Sequence, residues 1–199
     1  YSNLETPNEI YSYQNKTTKR LTHLQDRFVA TIKKGYHKGF QSTSSDGTLV
    51  SGILHLPDSN AKNLPLILFI HGGPVAQDDF AFDLTSRIYA EAGYAVANVN
   101  YRGSSGRGLA YVSAISGDWG NKEVKDIIGA ADYLIKEGIA DPNRLGIAGW
   151  SYGGILSNYT IATDKRFKAA VSGAGSSLMI SLYGSDQYIA QYEAEIGKP

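Results

Sequence analysis

Apolar and polar positions follow two different rhythms along this chain, and the change falls near residue 64. Ser2, Asn3, Thr6, Pro7 and Asn8 are turn-type residues, and the Tyr11/Tyr13 alternation predicts a short strand. Residues 28–45 show neither period and read as a connector. DGTLVSGILHLP (46–57) opens with a turn and alternates into a strand, and residues 60–63 form a polar loop. From Leu64 strands and helices alternate. LPLILFI (64–70) is a nearly continuous apolar run, as in a strand covered on both faces. Leu84, Ile88 and Ala92 recur at helical spacing until Gly93, and YAVANVNY (94–101) predicts a second buried strand. Val124, Ile127, Ile128, Ala131, Leu134 and Ile135 make a helical stripe from about Asn121 to Gly138. Asp141-Pro142-Asn143 predicts a turn, RLGIAG (144–149) a third strand, 153–163 a helix and FKAAVSGA (167–174) a fourth strand. This order implies βαβ units, hence an α/β fold with a mainly parallel sheet and helices on both faces.

Composition removes several classes of function. Lys+Arg and Asp+Glu both number 19, so the net charge of zero predicts neither nucleic acid nor an anionic membrane as partner. No run of 18 apolar residues predicts a membrane span, and the first residues lack a signal-peptide pattern, so a soluble cytoplasmic or periplasmic chain is expected. Cysteine is absent, which excludes disulfides, thiolate nucleophiles and cysteine metal sites. Asn15-Lys16-Thr17 and Asn158-Tyr159-Thr160 fit the glycosylation pattern, but the second falls in a predicted helix.

Gly149-Trp150-Ser151-Tyr152-Gly153 matches G-x-S-x-G between a predicted strand and a predicted helix. That setting is a nucleophile elbow: a sharp turn lifts the serine hydroxyl above the sheet, and glycines two residues away leave room for it. The expected fold is therefore the α/β-hydrolase fold, with Ser151 as nucleophile. His71-Gly72-Gly73-Pro74 directly follows the first buried strand, where such folds place an oxyanion donor. The Tyr152 N–H and the Gly73 N–H are the candidate donors. His71, Trp150 and Ser177 are candidates for the substrate pocket. No metal or organic cofactor is expected. The plainer readings are a Gly-Ser turn between strand and helix and a Gly-Pro turn ending a strand.

HGGP (71–74), NYRGSSGRG (100–108), GDWG (117–120), Asp126, DPNRLGIAG (141–149) and GWSYGG (149–154) follow one another in this order along the chain. Together they resemble the peptidase domain of the prolyl oligopeptidase family over residues 46–199. HGGP with NYRGS is most similar to the acylaminoacyl-peptidase subgroup, and GWSYGG is also similar to dipeptidyl peptidases. The resemblance implies a serine peptidase acting on short peptides behind an N-terminal β-propeller. It implies that residues 1–27 are the C-terminal remnant of that propeller, and that the stretch from Ala174 to Tyr183 helps line the pocket. Arg102 is expected to be a buried structural arginine, Asp126 to pair with an unspecified buried partner, Trp119 to be an aromatic packed at a helix start, and Asp118 and Asn121 helix caps.

A serine nucleophile needs a base. The four histidines, His23, His37, His55 and His71, all precede Ser151, whereas this fold orders its triad Ser, Asp or Glu, His. Asp164 and Asp186 follow Ser151 too early to be the acid and read as surface residues. His71 is expected to shape the oxyanion loop. The chain is therefore expected to be a truncated hydrolase that lacks the C-terminal segment supplying the triad Asp and His, and to be inactive alone. An exposed sheet edge is expected where it is cut, and a homo-oligomer is compatible with that edge. The competing functions are a carboxylesterase or lipase on the same fold and a catalytically inactive binding protein.

Overall fold

The computed structural model describes residues 1–198. Tyr11–Gln14 (β1) and Thr17–Arg20 (β2) pair as an antiparallel hairpin separate from the main sheet. Asn15 and Lys16 both take positive φ at its two-residue turn, the conformation that matches the twist of paired strands. Asp26–Val29 (α1) is a single helical turn. Side chains tie this segment to the body of the chain: Phe82 N–H donates to Ser2 Oγ at 3.0 Å, and the Arg87 guanidinium donates to the Leu4 carbonyl.

The main sheet has six strands in the order β3-β4-β6-β5-β7-β8. They are Tyr36–Thr43 (β3), Leu49–Leu56 (β4), Leu64–Ile70 (β5), Ala95–Asn100 (β6), Ala140–Trp150 (β7) and Phe167–Gly173 (β8). β6, β5, β7 and β8 run parallel, while β3 and β4 pair antiparallel at one end. The connector expected over 28–45 is thus corrected: its second half is a full strand of this sheet. β3 buries only Phe40 and Ser42, because it is an edge strand whose remaining side chains meet solvent, so no apolar period marks it. The Asp141-Pro142-Asn143 turn is present inside β7. Ala140 pairs with Leu64 and Leu145 with Leu66, so the residues between bulge outward around Asp141, which accepts from Asn143 N–H at 2.8 Å.

Leu84–Glu91 (α2) packs on β4 and β6, while Lys122–Lys136 (α4) and Tyr152–Thr163 (α5) cover the other face. Leu109–Val112 (α3), Leu182–Ser185 (α6) and Ile189–Glu195 (α7) are short pieces above the strand ends. Leu66, Leu68 and Ile70 of β5 point into the core with Val124 and Ile127 of α4 and Leu156 of α5. The opposite face of β5 is only half covered. Ile67 and Phe69 line an apolar groove of about 420 Å³ with Tyr89, Tyr94 and Val171, and β8 beside it is exposed along most of its length.

A buried ion-pair knot locks the start of α4 to the sheet. Arg102 donates through its backbone N–H, Nε and Nη2 to the fully buried Asp126 at 2.7–3.1 Å. Its remaining donors reach Asp46 at 2.6 Å, Ser44 at 3.2 Å and the Lys122 carbonyl at 3.1 Å. Removing one member leaves an unmatched buried charge. Asp126→Ala is expected to lower the unfolding free energy by about 3–5 kcal/mol in chemical denaturation, with Asp46→Ala, at the half-open rim, costing less.

His55 is buried on β4 and meets His37 on β3, Nδ1 to Nδ1, at 2.8 Å. One ring must donate and the other accept, so both cannot be charged. Burial, reinforced by His37, pushes the His55 imidazole down to about 4. The folded state thus resists a proton that the unfolded chain takes up near 6.5, and stability falls as pH drops from about 6.5 to 4, by on the order of 3 kcal/mol for this group. His55→Asn is expected to flatten that slope in pH-dependent urea denaturation.

Candidate active site

The strand order reverses direction around β5. The chain leaves β5 for β6 on one side, then returns to β7 on the other, which opens a crevice at the C-terminal ends of these strands. β5 ends at His71 and β7 ends at Ser151, so the topology brings the two sequence motifs together.

Ser151 is exposed and takes φ 56° and ψ −122°, a strained conformation for a residue with a side chain. Its N–H donates to the Gly173 carbonyl at 2.9 Å, and its carbonyl accepts the first hydrogen bond of α5 from Ile155 at 3.0 Å. The turn is held from both sides by close backbone approach. A Cβ at Gly149 would collide with the Gly153 carbonyl, and a Cβ at Gly153 with the Ile70 carbonyl. Ser151 faces a cavity of about 650 Å³ whose lining also includes Gly73, Tyr152, Trp119, Ile155, Tyr188 and Tyr192.

The HGGP loop lies beside the serine: a Cβ on Gly72 would fall 3.3 Å from Ser151 Cβ and 3.9 Å from its Oγ. His71 shapes this loop. Its ring stacks on the buried Tyr101 at 4.4 Å. Nδ1 lies 2.8 Å from the Gly72 carbonyl oxygen, so it carries the proton and donates; Nε2 accepts from Ser104 Oγ at 2.8 Å. Tyr101 Oη donates to the His71 carbonyl at 2.8 Å. Burial pushes the His71 imidazole below its ordinary range, which keeps this neutral tautomer. With the Gly72 carbonyl held, the trans peptide turns the Gly73 N–H to the opposite side.

The other candidates are distributed as follows. Tyr152 is buried, and its phenol donates to Glu123 Oε1 at 2.5 Å. Trp150, His71 and Ser177 are not among the residues lining the cavity. Trp150 turns outward and covers Gly173, where a Cβ would collide with its ring, and Ser177 is exposed. Their places are taken by Ser172, Ala174, Gly175 and Ser176 just before Ser177 and by α6 and α7. Asp186 is no plain surface residue: it lines the cavity and accepts from Tyr192 Oη at 2.5 Å and from Tyr188 N–H at 3.2 Å. Asp164 pairs with Arg166 at 2.6 Å. Trp119 packs edge-on against Tyr152 at 4.6 Å and also lines the cavity. Asn121 occupies the cap position of α4 without capping it; its amide donates to Asp118, and Glu123 Oε1 instead accepts from Gly120 N–H at 3.1 Å.

No histidine among the described residues hydrogen-bonds Ser151 Oγ. His23 pairs with Asp26 at 2.8 Å, His37 with His55, and the His71 nitrogens are committed to the Gly72 carbonyl and to Ser104. Leu182 falls in the 174–183 stretch that the resemblance assigned to the pocket, whereas Tyr188, Gln191 and Tyr192 went unread in the sequence, where only the Tyr188/Tyr192 spacing signals a helix face.

A family model described as the prolyl oligopeptidase family matches residues 80–199. The peptidase YuxL of Bacillus subtilis strain 168 is 38% identical over 184 residues, 90% of this chain and 28% of that protein. Dipeptidyl aminopeptidase BIII of Pseudoxanthomonas mexicana is 32% identical over 166 residues, 78% of this chain and 24% of that protein. Among solved structures, the Pyrococcus horikoshii acylaminoacyl peptidase superposes with a TM-score of 0.89 at 28% identity, covering 100% of this chain and 32% of its own. The chain thus spans under a third of the length of each of these proteins. Motifs, strand order and the match over most of the chain agree: the chain belongs to the prolyl oligopeptidase family.

Proposed function

We propose that this chain supplies the nucleophile and oxyanion donors of a serine peptidase that hydrolyses short peptides through an acyl-enzyme at Ser151. The observation that carries this reading is the strained, exposed Ser151 at the mouth of a cavity, with the Gly72-Gly73 backbone alongside. Ser151 Oγ attacks a peptide carbonyl, and the resulting oxyanion is held by the N–H groups of Tyr152 and Gly73. Both donors are backbone groups fixed before substrate arrives, Tyr152 by the first turn of α5 and Gly73 by the His71–Gly72 hydrogen bond. Collapse of the oxyanion intermediate breaks the C–N bond and releases the amine, which takes up the proton removed from Ser151, and leaves an ester on Ser151. A water then attacks the ester, releases the acid and restores the Ser151 hydroxyl.

The proton acceptor and its carboxylate partner are assigned to residues outside the 199 of this chain. Two observations support this: each histidine here is engaged elsewhere, and the relatives are about three times as long. By the same reading, the hairpin of residues 11–20 belongs to a β-propeller preceding the hydrolase body. Peptide rather than simple ester substrates are favoured by the named activities of the relatives, an acylaminoacyl peptidase and a dipeptidyl aminopeptidase.

The test is active-site labelling of the full-length protein with a fluorophosphonate. Labelling is expected on Ser151, with Ser151→Ala losing the label and at least about 10⁴-fold in peptide hydrolysis. Label retained by the alanine variant sinks the assignment. His71→Ala frees the Gly72 carbonyl and is expected to lower kcat about 10²-fold while KM moves little, because the oxyanion exists only after attack. An equal rise in KM at constant kcat would instead place His71 in ground-state binding.

A further inference from the structure

Ser104 closes the turn that contains Arg102, and it is completely buried. Its N–H donates to the Tyr101 carbonyl at 3.0 Å, and Gly103 between them takes φ 104°, the left-handed value that the third position of a type II turn requires. Arg102, the second residue of that turn, is pinned by Asp126 and Asp46. The Ser104 hydroxyl therefore stands on a turn that cannot shift without disturbing the ion-pair knot. Among the described residues that hydroxyl has one hydrogen-bond partner, His71 Nε2 at 2.8 Å.

A neutral imidazole carries one proton and has two nitrogens to put it on. Around His71 the oxygens at the two ends of the ring agree on where it goes. The Gly72 carbonyl, 2.8 Å from Nδ1, only accepts. Tyr101 Oη lies 3.2 Å from Nδ1, but its own proton is directed to the His71 carbonyl at 2.8 Å. A bare Nδ1 would face both oxygens lone pair to lone pair and release the Gly72 carbonyl. At the other end the Ser104 proton has only Nε2 to go to. A proton on Nε2 would leave that buried hydroxyl with an unmatched donor, a cost paid in full because no water reaches it. Ser104 thus favours the one tautomer that can hold Gly72, and the nitrogen opposite a fixed donor is the one that stays bare.

We propose that Ser104 is a positioning residue for acyl transfer at Ser151: by donating to His71 Nε2 it fixes the tautomer that holds the Gly72 carbonyl, and so keeps the Gly73 N–H turned toward the oxyanion. The Arg102 knot reaches the reacting centre by this route, through the turn 101–104, the His71 ring and the Gly72-Gly73 peptide. This rests on the reading of Ser151 as nucleophile and of the Gly73 N–H as oxyanion donor.

The experiment uses the full-length enzyme, a peptide p-nitroanilide as substrate and active sites counted by fluorophosphonate labelling. Ser104→Ala is expected to lower kcat per labelled site about tenfold while KM changes less than about twofold, because the oxyanion exists only after attack. The same substitution is then made in a His71→Asn background, where the side-chain amide keeps a donor toward the Gly72 carbonyl and there is no ring tautomer to set. There Ser104→Ala is expected to cost less than about twofold in kcat. An equal loss in both backgrounds marks a packing role and overturns the proposal, as does a loss carried by KM or no loss at all. Should Ser104→Ala fail to fold, Ser104→Cys, which fills the space and weakens the donor, is read in the same two backgrounds against the same outcomes. Failure of the nucleophile reading has a different signature: Ser151→Ala would keep its label and its turnover.

Discussion

The site depends on a side chain that is not there. A Cβ on Gly153 would collide with the carbonyl oxygen at the end of β5, so only glycine lets α5 begin this close to that strand. The approach sets the distance between the two motifs. With α5 pressed against Ile70, Ser151 stands beside Gly72, and one helix N-terminus faces the same crevice as the loop leaving β5. Any larger residue at 153 would push the helix away and separate the nucleophile from the second oxyanion donor by the width of a methyl group or more. The backbone strain at Ser151 follows from the same closeness, because the chain has no room for a gentler turn between strand and helix.

Most of the α/β body could be read from residue patterns. β5 and β6 are nearly all-apolar runs and α4 carries an unbroken stripe, since burial on the sheet demands both. β3 could not be read because an edge strand needs an apolar side chain only where it meets its neighbour and α4, here at Phe40. The elbow and the oxyanion loop were legible because chain geometry restricts the residues there to glycine. The cavity wall was not. The 174–183 stretch was read only through the resemblance, and Tyr188 and Tyr192 sit at the start of and on a short helix whose placement comes from tertiary contacts, so nothing in their local pattern points toward Ser151. The pocket candidates Trp150 and Ser177 miss the cavity for a related reason. Adjacent residues at an elbow or strand end face different ways, so sequence proximity to the nucleophile is a poor guide to which of them borders substrate.

The buried ionisable groups around the elbow are neutral or paired, and Asp186, across the cavity, is held as a carboxylate by Tyr192 Oη. His71 is held neutral by burial, and its two nitrogens are spent on a carbonyl and a hydroxyl, so it contributes orientation and no net field. Glu123 is pushed by burial toward its protonated form. Arg102, the strongest buried charge, is neutralised by Asp126 and Asp46. On the proposed reading, an oxyanion forming at Ser151 meets the backbone dipoles of the elbow and of the Gly72-Gly73 loop. Such dipoles stabilise charge that develops in the transition state without attracting an anionic ground state.

This arrangement places a demand on α4. Its first turn carries Glu123, which holds Tyr152, and its second carries Asp126, which holds Arg102 in the loop after β6. One helix end is thereby referenced to two strands at once, β6 through the arginine and β7 through the tyrosine. Packing alone leaves a helix free to slide by fractions of an ångström along a sheet, whereas hydrogen bonds of 2.5–3.1 Å in two directions do not. Two buried carboxylates are a costly way to fix a helix, and an apolar core of the same volume would be at least as stable. What the apolar core would not provide is a defined hydrogen-bond partner for the phenol of Tyr152, the residue next to Ser151.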